Sequence, residues 1–125
     1  MVETLFTSRA PKAIGPYSHG RKCGNIIITC GQIPLDPVTG ELATGVREST
    51  KVVLNNLIAI VEEGGGSIET VARVDIFVRS LDDFKDINEV YTEFFGDIKP
   101  ARMLIQAAKL PMDAVLEASM IAFTK

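Results

Sequence analysis

Two charged residues sit inside apolar runs near the end of the chain, where an edge or surface residue would not be expected. Arg102 follows a Pro-Ala step in KPARMLIQAAKLP, and Glu117 is flanked by Val115, Leu116 and Ala118 in DAVLEASMIAF. Both runs read as strands joined by a short Leu-Pro-Met-Asp connection. Alternation puts Arg102, Leu104 and Gln106 on one side of the first, with Met103, Ile105 and Ala107 on the other. In the second, Glu117, Ser119 and Ile121 oppose Leu116, Ala118 and Met120. A guanidinium and a carboxylate among apolar neighbours need partners, because an unpaired buried charge is very costly. They pair with each other, sit in two separate structural ion pairs, or wait for a ligand. A final hairpin turning near residues 111–112 pairs Arg102 with about residue 121 and Glu117 with about residue 106, leaving the charges about 13 Å apart. A direct salt bridge is then disfavoured. Joint action needs something that spans them, or a meeting across subunits.

Other chemistry is poorly supplied. His19 is the only histidine, and Cys23 and Cys30 lack the paired spacing of zinc ligands, so no metal site is expected. A Ser-His-Asp or Cys-His mechanism would need His19 in a role nothing supports; a strand-surface position is expected for it. Cys30 is expected to be a small buried thiol. A reactive role stays open to it because CGQ leads straight into the Gln32-Ile33-Pro34 loop. The Gly64-Gly65-Gly66 run reads as a helix cap and not a phosphate cradle, since no strand precedes it and no Lys-Ser/Thr follows.

The elements that must position these residues can be read in order. At 125 residues the chain suits one domain spanning 1–125, with 46% hydrophobic and 23% charged residues, an ordinary globular balance. A net charge of −3 gives no general attraction to nucleic acid. No apolar run approaches the roughly 20 residues that span a membrane, and MVETLFTSRAP lacks the pattern of a secretion signal. Two cysteines make no disulfide framework, so a cytoplasmic setting is expected. After a short first strand, the APKAIGPY turn leads to strands at 18–23 and 25–30 around Gly24. The β-branched IIIT run reads as covered on both faces. Helical spacing from 45 to 63 sets Val46, Val53, Leu57, Ile60 and Val61 on one stripe. A strand at 71–79 turns Val74, Ile76 and Val78 one way and Arg73, Asp75, Phe77 and Arg79 the other. Ser80 caps a second helix, with Phe84, Ile87, Tyr91 and Phe94 or Phe95 as its buried stripe. The order is β-β-β-α-β-α-β-β, an α+β arrangement of a mixed sheet with both helices on one face. Phe77, Leu104, Ile121 and Phe123 would leave the other face apolar and open, which predicts a closed homo-oligomer.

GPYSHG, ITCGQIPLDPVTGEL, the 74–91 stretch and PARMLIQAAKLP…LEA, in that order, closely resemble the RidA (YjgF) family of reactive-intermediate deaminases. The resemblance implies a chorismate-mutase-like fold in a homotrimer, whose sheets wall a central barrel and whose sites lie in clefts between subunits. It further implies hydrolysis of 2-iminopropanoate, 2-iminobutanoate and their enamine tautomers to 2-oxoacids and ammonia, with no cofactor. On that reading Arg102 takes the substrate carboxylate bidentately, and Glu117 positions a water and moves protons. Tyr17 closes the site, Gly31 and Cys30 help hold the substrate, and Asn88 matches a further pocket position. Three positions depart from the family's usual residues. Cys30 replaces a common Ser, Leu104 a frequent Cys, and Ser119 a frequent second Glu. Leu104 would make the cleft more apolar and favour longer side chains. Two other functions compete: a regulatory trimer that binds small 2-oxoacids without turnover, and an endoribonuclease or translation inhibitor, which the acidic balance disfavours.

Overall fold

Alternating and helical-period stretches become six strands and two α-helices in the expected order. The computed structural model describes every residue from Met1 to Lys125. Strands β1 (Val2–Leu5), β2 (Gly20–Cys23) and β3 (Ile26–Thr29) form an antiparallel meander. The β2–β3 turn needs a positive φ, which Gly24 supplies at 60°. Helix α1 (Val46–Glu63) buries Val53, Leu57, Ile60 and Val61 completely, each side chain contributing about 1.5–3 kcal/mol of transfer free energy. In the cap after it the left-handed residue is Gly65, at φ 93°; Gly64 remains right-handed.

Strand β4 (Val71–Val78), helix α2 (Phe84–Phe95) and strand β5 (Ala101–Gln106) form a βαβ unit, so β5 lies parallel to β4. The chain then crosses over the end of β4, and β6 (Leu116–Phe123) inserts antiparallel between β3 and β4. The sheet order is β1-β2-β3-β6-β4-β5. The final two strands are therefore not the hairpin that their adjacency in sequence predicts. The helix leaves β5 on the outer side of β4, and the link at 107–115 is too long for a tight hairpin turn.

Register fixes the faces. Val74 pairs with both Arg102 and Met120, whereas Phe77 pairs with both Ile105 and Glu117. Positions 74 and 77 point to opposite sides, so Arg102 lies on the helix-covered face and Glu117 on the open one. The covered face joins Val74, Ile76, Val78, Leu116 and Met120 to α1 and α2 in one core. Leu104 packs against that core, which corrects its expected place on the open face. The open face carries Ile26, Ile28, Met103, Ile105 and Phe123, each exposed, with Phe77 and Ile121 half-buried. Strand β3 is thus covered by its own chain on one side only, not on both.

Two further expectations are overturned. Phe84 is 44% exposed, because α2 is preceded by a 3-10 turn over Leu81–Asp83 and its buried stripe begins at Ile87. His19 is 3% exposed instead of on a strand surface. Its Nδ1 accepts from the Thr7 N–H at 3.1 Å and its Nε2 bonds the Pro11 carbonyl at 2.7 Å. The ring thereby ties down the N-terminal loop through two backbone groups that would otherwise be buried unpaired. No helix is long and apolar enough to cross a membrane.

Candidate active site

The residues singled out from the sequence fall into two half-sites. The first is built on β5 and α2. Phe84, Asn88 and Tyr91 recur at i, i+4 and i+7, which places them along one side of α2. Arg102 meets all three. Its Nη1 donates to Asn88 Oδ1 at 2.7 Å, and its Cζ lies 4.8 Å from the Tyr91 ring centroid and 6.0 Å from that of Phe84. No carboxylate pairs with it, although Arg9, Arg47, Arg73 and Arg79 all have acidic partners. Its Nε–H and Nη2–H have no acceptor within the chain, leaving one guanidinium edge free for a bidentate anion. Beside it opens a cavity of about 160 Å³ lined by Tyr91, Thr92, Phe95, Lys99 and Pro100. Leu104 lies two residues along the same strand face.

The second half-site centres on Glu117 and a bulge. Ile28 pairs with Ile121, yet Gln32 bridges Ala118, so Thr29, Cys30 and Gly31 stand opposite Ser119 and Met120. That is one residue too many for a regular ladder. Thr29 Oγ1 fills the gap, accepting from Met120 N at 2.9 Å and donating to the Cys30 carbonyl at 2.8 Å. The bulge leaves the Gly31 N–H without an acceptor and brings Gly31 against Glu117: a Cβ there would lie 2.7 Å from Glu117 Oε2. The carboxylate is half-buried and has neither a cation nor a hydrogen-bond donor. Burial pushes its pKa up, which favours proton exchange nearer neutrality than an ordinary Glu allows. Cys30 is half-buried, its Sγ 3.2 Å from Gln32 Nε2. Burial raises the thiol's pKa as well, so it is held as a thiol and is not an activated nucleophile.

Tyr17 is linked to this second half-site only along the backbone. The backbone carbonyl of His19, two residues on, accepts from Cys30 N at 2.7 Å. Tyr17 itself lines a concavity of about 620 Å³ with Phe6, Lys12 and Pro37. Within one chain Arg102 and Glu117 do not converge. They sit on opposite sheet faces, three residues apart in register and with β4 between their strands, which is about 10 Å along and about 10 Å across. No three His, Cys, Asp or Glu side chains gather as a metal site.

A family model described as endoribonuclease L-PSP matches residues 7–124. The chain belongs to the RidA (YjgF) family. A RutC family protein of Pyrococcus abyssi is 48% identical over 122 residues, covering 97% of this chain and 96% of its own. The Escherichia coli protein named 2-iminobutanoate/2-iminopropanoate deaminase is 41% identical over 125 residues, covering 98% of each chain. Escherichia coli TdcF, solved with bound serine, superposes with a TM-score of 0.95 at 40% identity, covering 98% of this chain and 99% of its own. The mixed α+β sheet with its two helices is thus the fold of this RidA family member from end to end.

Three site features lay beyond sequence reasoning. Phe84 and Tyr91 read as core, although their i, i+4, i+7 spacing with Asn88 was the available signal. The bulge at Thr29 had none, because register is not visible in one strand. It leads to a direct expectation. Gly31→Ala should displace the Glu117 carboxylate by about an ångström and lower kcat about 100-fold, with KM nearly unchanged in a steady-state assay of the imine hydrolysis proposed below.

Proposed function

We propose that the protein hydrolyses small 2-imino acids and their enamine tautomers, 2-iminopropanoate and 2-iminobutanoate among them, to 2-oxoacids and ammonia. The observation that carries this is the free edge of Arg102, a partly buried guanidinium beside a cavity with only a neutral amide on it. Such a fork fits a planar carboxylate, which every 2-imino acid retains. Water adds to C2 of the imine and the C=N electron pair moves to nitrogen, which takes a proton. The carbinolamine's O–H proton then leaves, the C–N bond breaks and ammonia departs as C=O forms. Glu117, with its raised pKa, carries both protons in turn. It takes one from the attacking water and gives it to the imine nitrogen, then takes the carbinolamine O–H proton and gives it to the departing amine, which leaves as ammonia. The Gly31 N–H supplies a further donor, while Asn88 fixes the anchor. Tyr17, Cys30 and Leu104 border the substrate. No cofactor is needed, because the imine carbon is already electrophilic.

Such a site requires more than one copy of the chain, since anchor and proton carrier face opposite ways. In this reading three chains close their open sheet faces into a barrel, and each cleft takes Arg102 from one protomer and Glu117 from the next. The exposed Ile26, Ile28, Met103, Ile105 and Phe123 supply the apolar surface for that contact. The names of the deaminase relative and of serine-bound TdcF support a small ligand bearing a carboxylate.

The test generates 2-iminopropanoate and 2-iminobutanoate with a coupled amino-acid dehydratase or oxidase and follows ammonia and oxoacid release. Release faster than buffer alone, proportional to protein, is expected. Tight 2-oxobutanoate binding with no acceleration would replace catalysis by the regulatory reading. Cleavage of RNA with no effect on imines would favour the nuclease sense of the family's description.

A further inference from the structure

Tyr91 has no role in the chemistry above, yet it is the nearest aromatic group to the anchor. It is 8% exposed, and its hydroxyl is buried with no hydrogen-bond partner. The ring presents its surface to Arg102, 4.8 Å from centroid to Cζ, while Asn88 holds one edge of the guanidinium at 2.7 Å. Burial keeps the hydroxyl protonated, so the guanidinium meets a neutral aromatic ring and not a phenolate. An arginine on a flexible stem can aim its fork in many directions, and a free fork loses rotational freedom when it captures a ligand.

We propose that Tyr91 is a positioning residue acting through Arg102: its ring is the plate on which the guanidinium lies, and Asn88 is the stop at one edge. Together they pre-aim the unused Nε–Nη2 edge at the incoming carboxylate. The cation–π contact orients the guanidinium plane, and the short bond to Asn88 fixes its rotation within that plane. Ground state and transition state share this carboxylate contact, so Tyr91 governs binding and leaves the chemical step alone. This proposal rests on the carboxylate-anchor reading of Arg102.

Titration of 2-oxobutanoate into the intact assembly, with steady-state imine kinetics alongside, tests it. Tyr91→Leu should weaken binding and raise KM about tenfold, while kcat at saturation stays within about threefold. Tyr91→Phe, which keeps the plate, should restore wild-type binding. Arg102→Met is the control for the underlying reading. If it binds as wild type, the anchor itself is wrong; if it loses binding while Tyr91→Leu does not, only the plate is wrong. Equal loss in Tyr91→Phe would move the role to the hydroxyl and overturn the proposal. Should Tyr91→Leu fail to fold, NMR of Tyr91→Phe and wild type decides. A ring-shielded, upfield Arg102 guanidinium is expected in both, and unshielded protons in either refute the plate.

Discussion

Arg102→Met should lower kcat/KM by about a thousandfold and remove measurable 2-oxobutanoate binding, while the melting temperature holds or rises. Two charge-assisted hydrogen bonds to one carboxylate are worth about 3–5 kcal/mol together, or about 10²–10⁴ in kcat/KM. The stability half follows from the missing partner. Arg102 is partly buried with only the Asn88 oxygen and two aromatic rings beside it, and no carboxylate offsets its desolvation. Methionine keeps the stem's contacts with the core edge and removes the charge. A structural ion pair would behave oppositely, because removing one partner strands the other. Arg102→Lys should fall between, roughly tenfold to a hundredfold down in kcat/KM, since an ammonium keeps the charge but lacks the fork. Titration calorimetry and thermal melts of the same samples check both halves. Undiminished binding with a lower melting temperature would make Arg102 structural.

Much of this was legible in the chain, for reasons that differ by residue. Strand and helix periods are local, so β4, α1 and α2 could be placed from Val74, Ile76 and Val78 or from Val53, Leu57 and Ile60. Local pattern also set Arg102 apart from Met103, and Glu117 from Leu116, within their own strands. What it could not supply was the relation between two strands. Assuming β5 pairs with β6 puts Arg102 and Glu117 on the same face. The βαβ crossover puts β4 between them and separates the faces. The exposure of Phe84 has a similar origin. It satisfies the helical stripe, but it is the first residue of α2 and stays 44% exposed, while the buried stripe starts at Ile87. His19 was misplaced because its partners, Thr7 N and the Pro11 carbonyl, are backbone groups of a loop that no side-chain pattern marks. The bulge at Thr29–Gly31 is the same problem in smaller form. One extra residue in a ladder shows only when both strands are in view.

Glu117→Gln should cut kcat by about 10²–10⁴ while leaving 2-oxobutanoate affinity within a few-fold, and it should make the protein more stable at neutral pH. Burial raises the folded-state pKa of Glu117 above its ordinary 4.5. Between 4.5 and that raised value the folded chain holds this proton more often than the unfolded chain does. The group's contribution is therefore most favourable below 4.5, declines as pH rises through the window, and stays at its least favourable above it. A glutamine does not titrate. Its stability advantage over wild type should thus appear as pH rises past 4.5 and vanish in acid, as melts across pH would show. Wild-type turnover by the variant would end the proton-transfer role. The same variant also asks whether the site is shared. Chains carrying only Arg102→Met or only Glu117→Gln should each keep about a hundredth or less of wild-type activity. If the proposed trimer forms, about a quarter of the clefts in a random equal mixture combine an intact Arg102 from one chain with an intact Glu117 from the next. Co-refolding the two should recover about that fraction of wild-type activity. Mixed assemblies that stay as inactive as their parents would place anchor and proton carrier in one chain, against their opposite directions across the sheet.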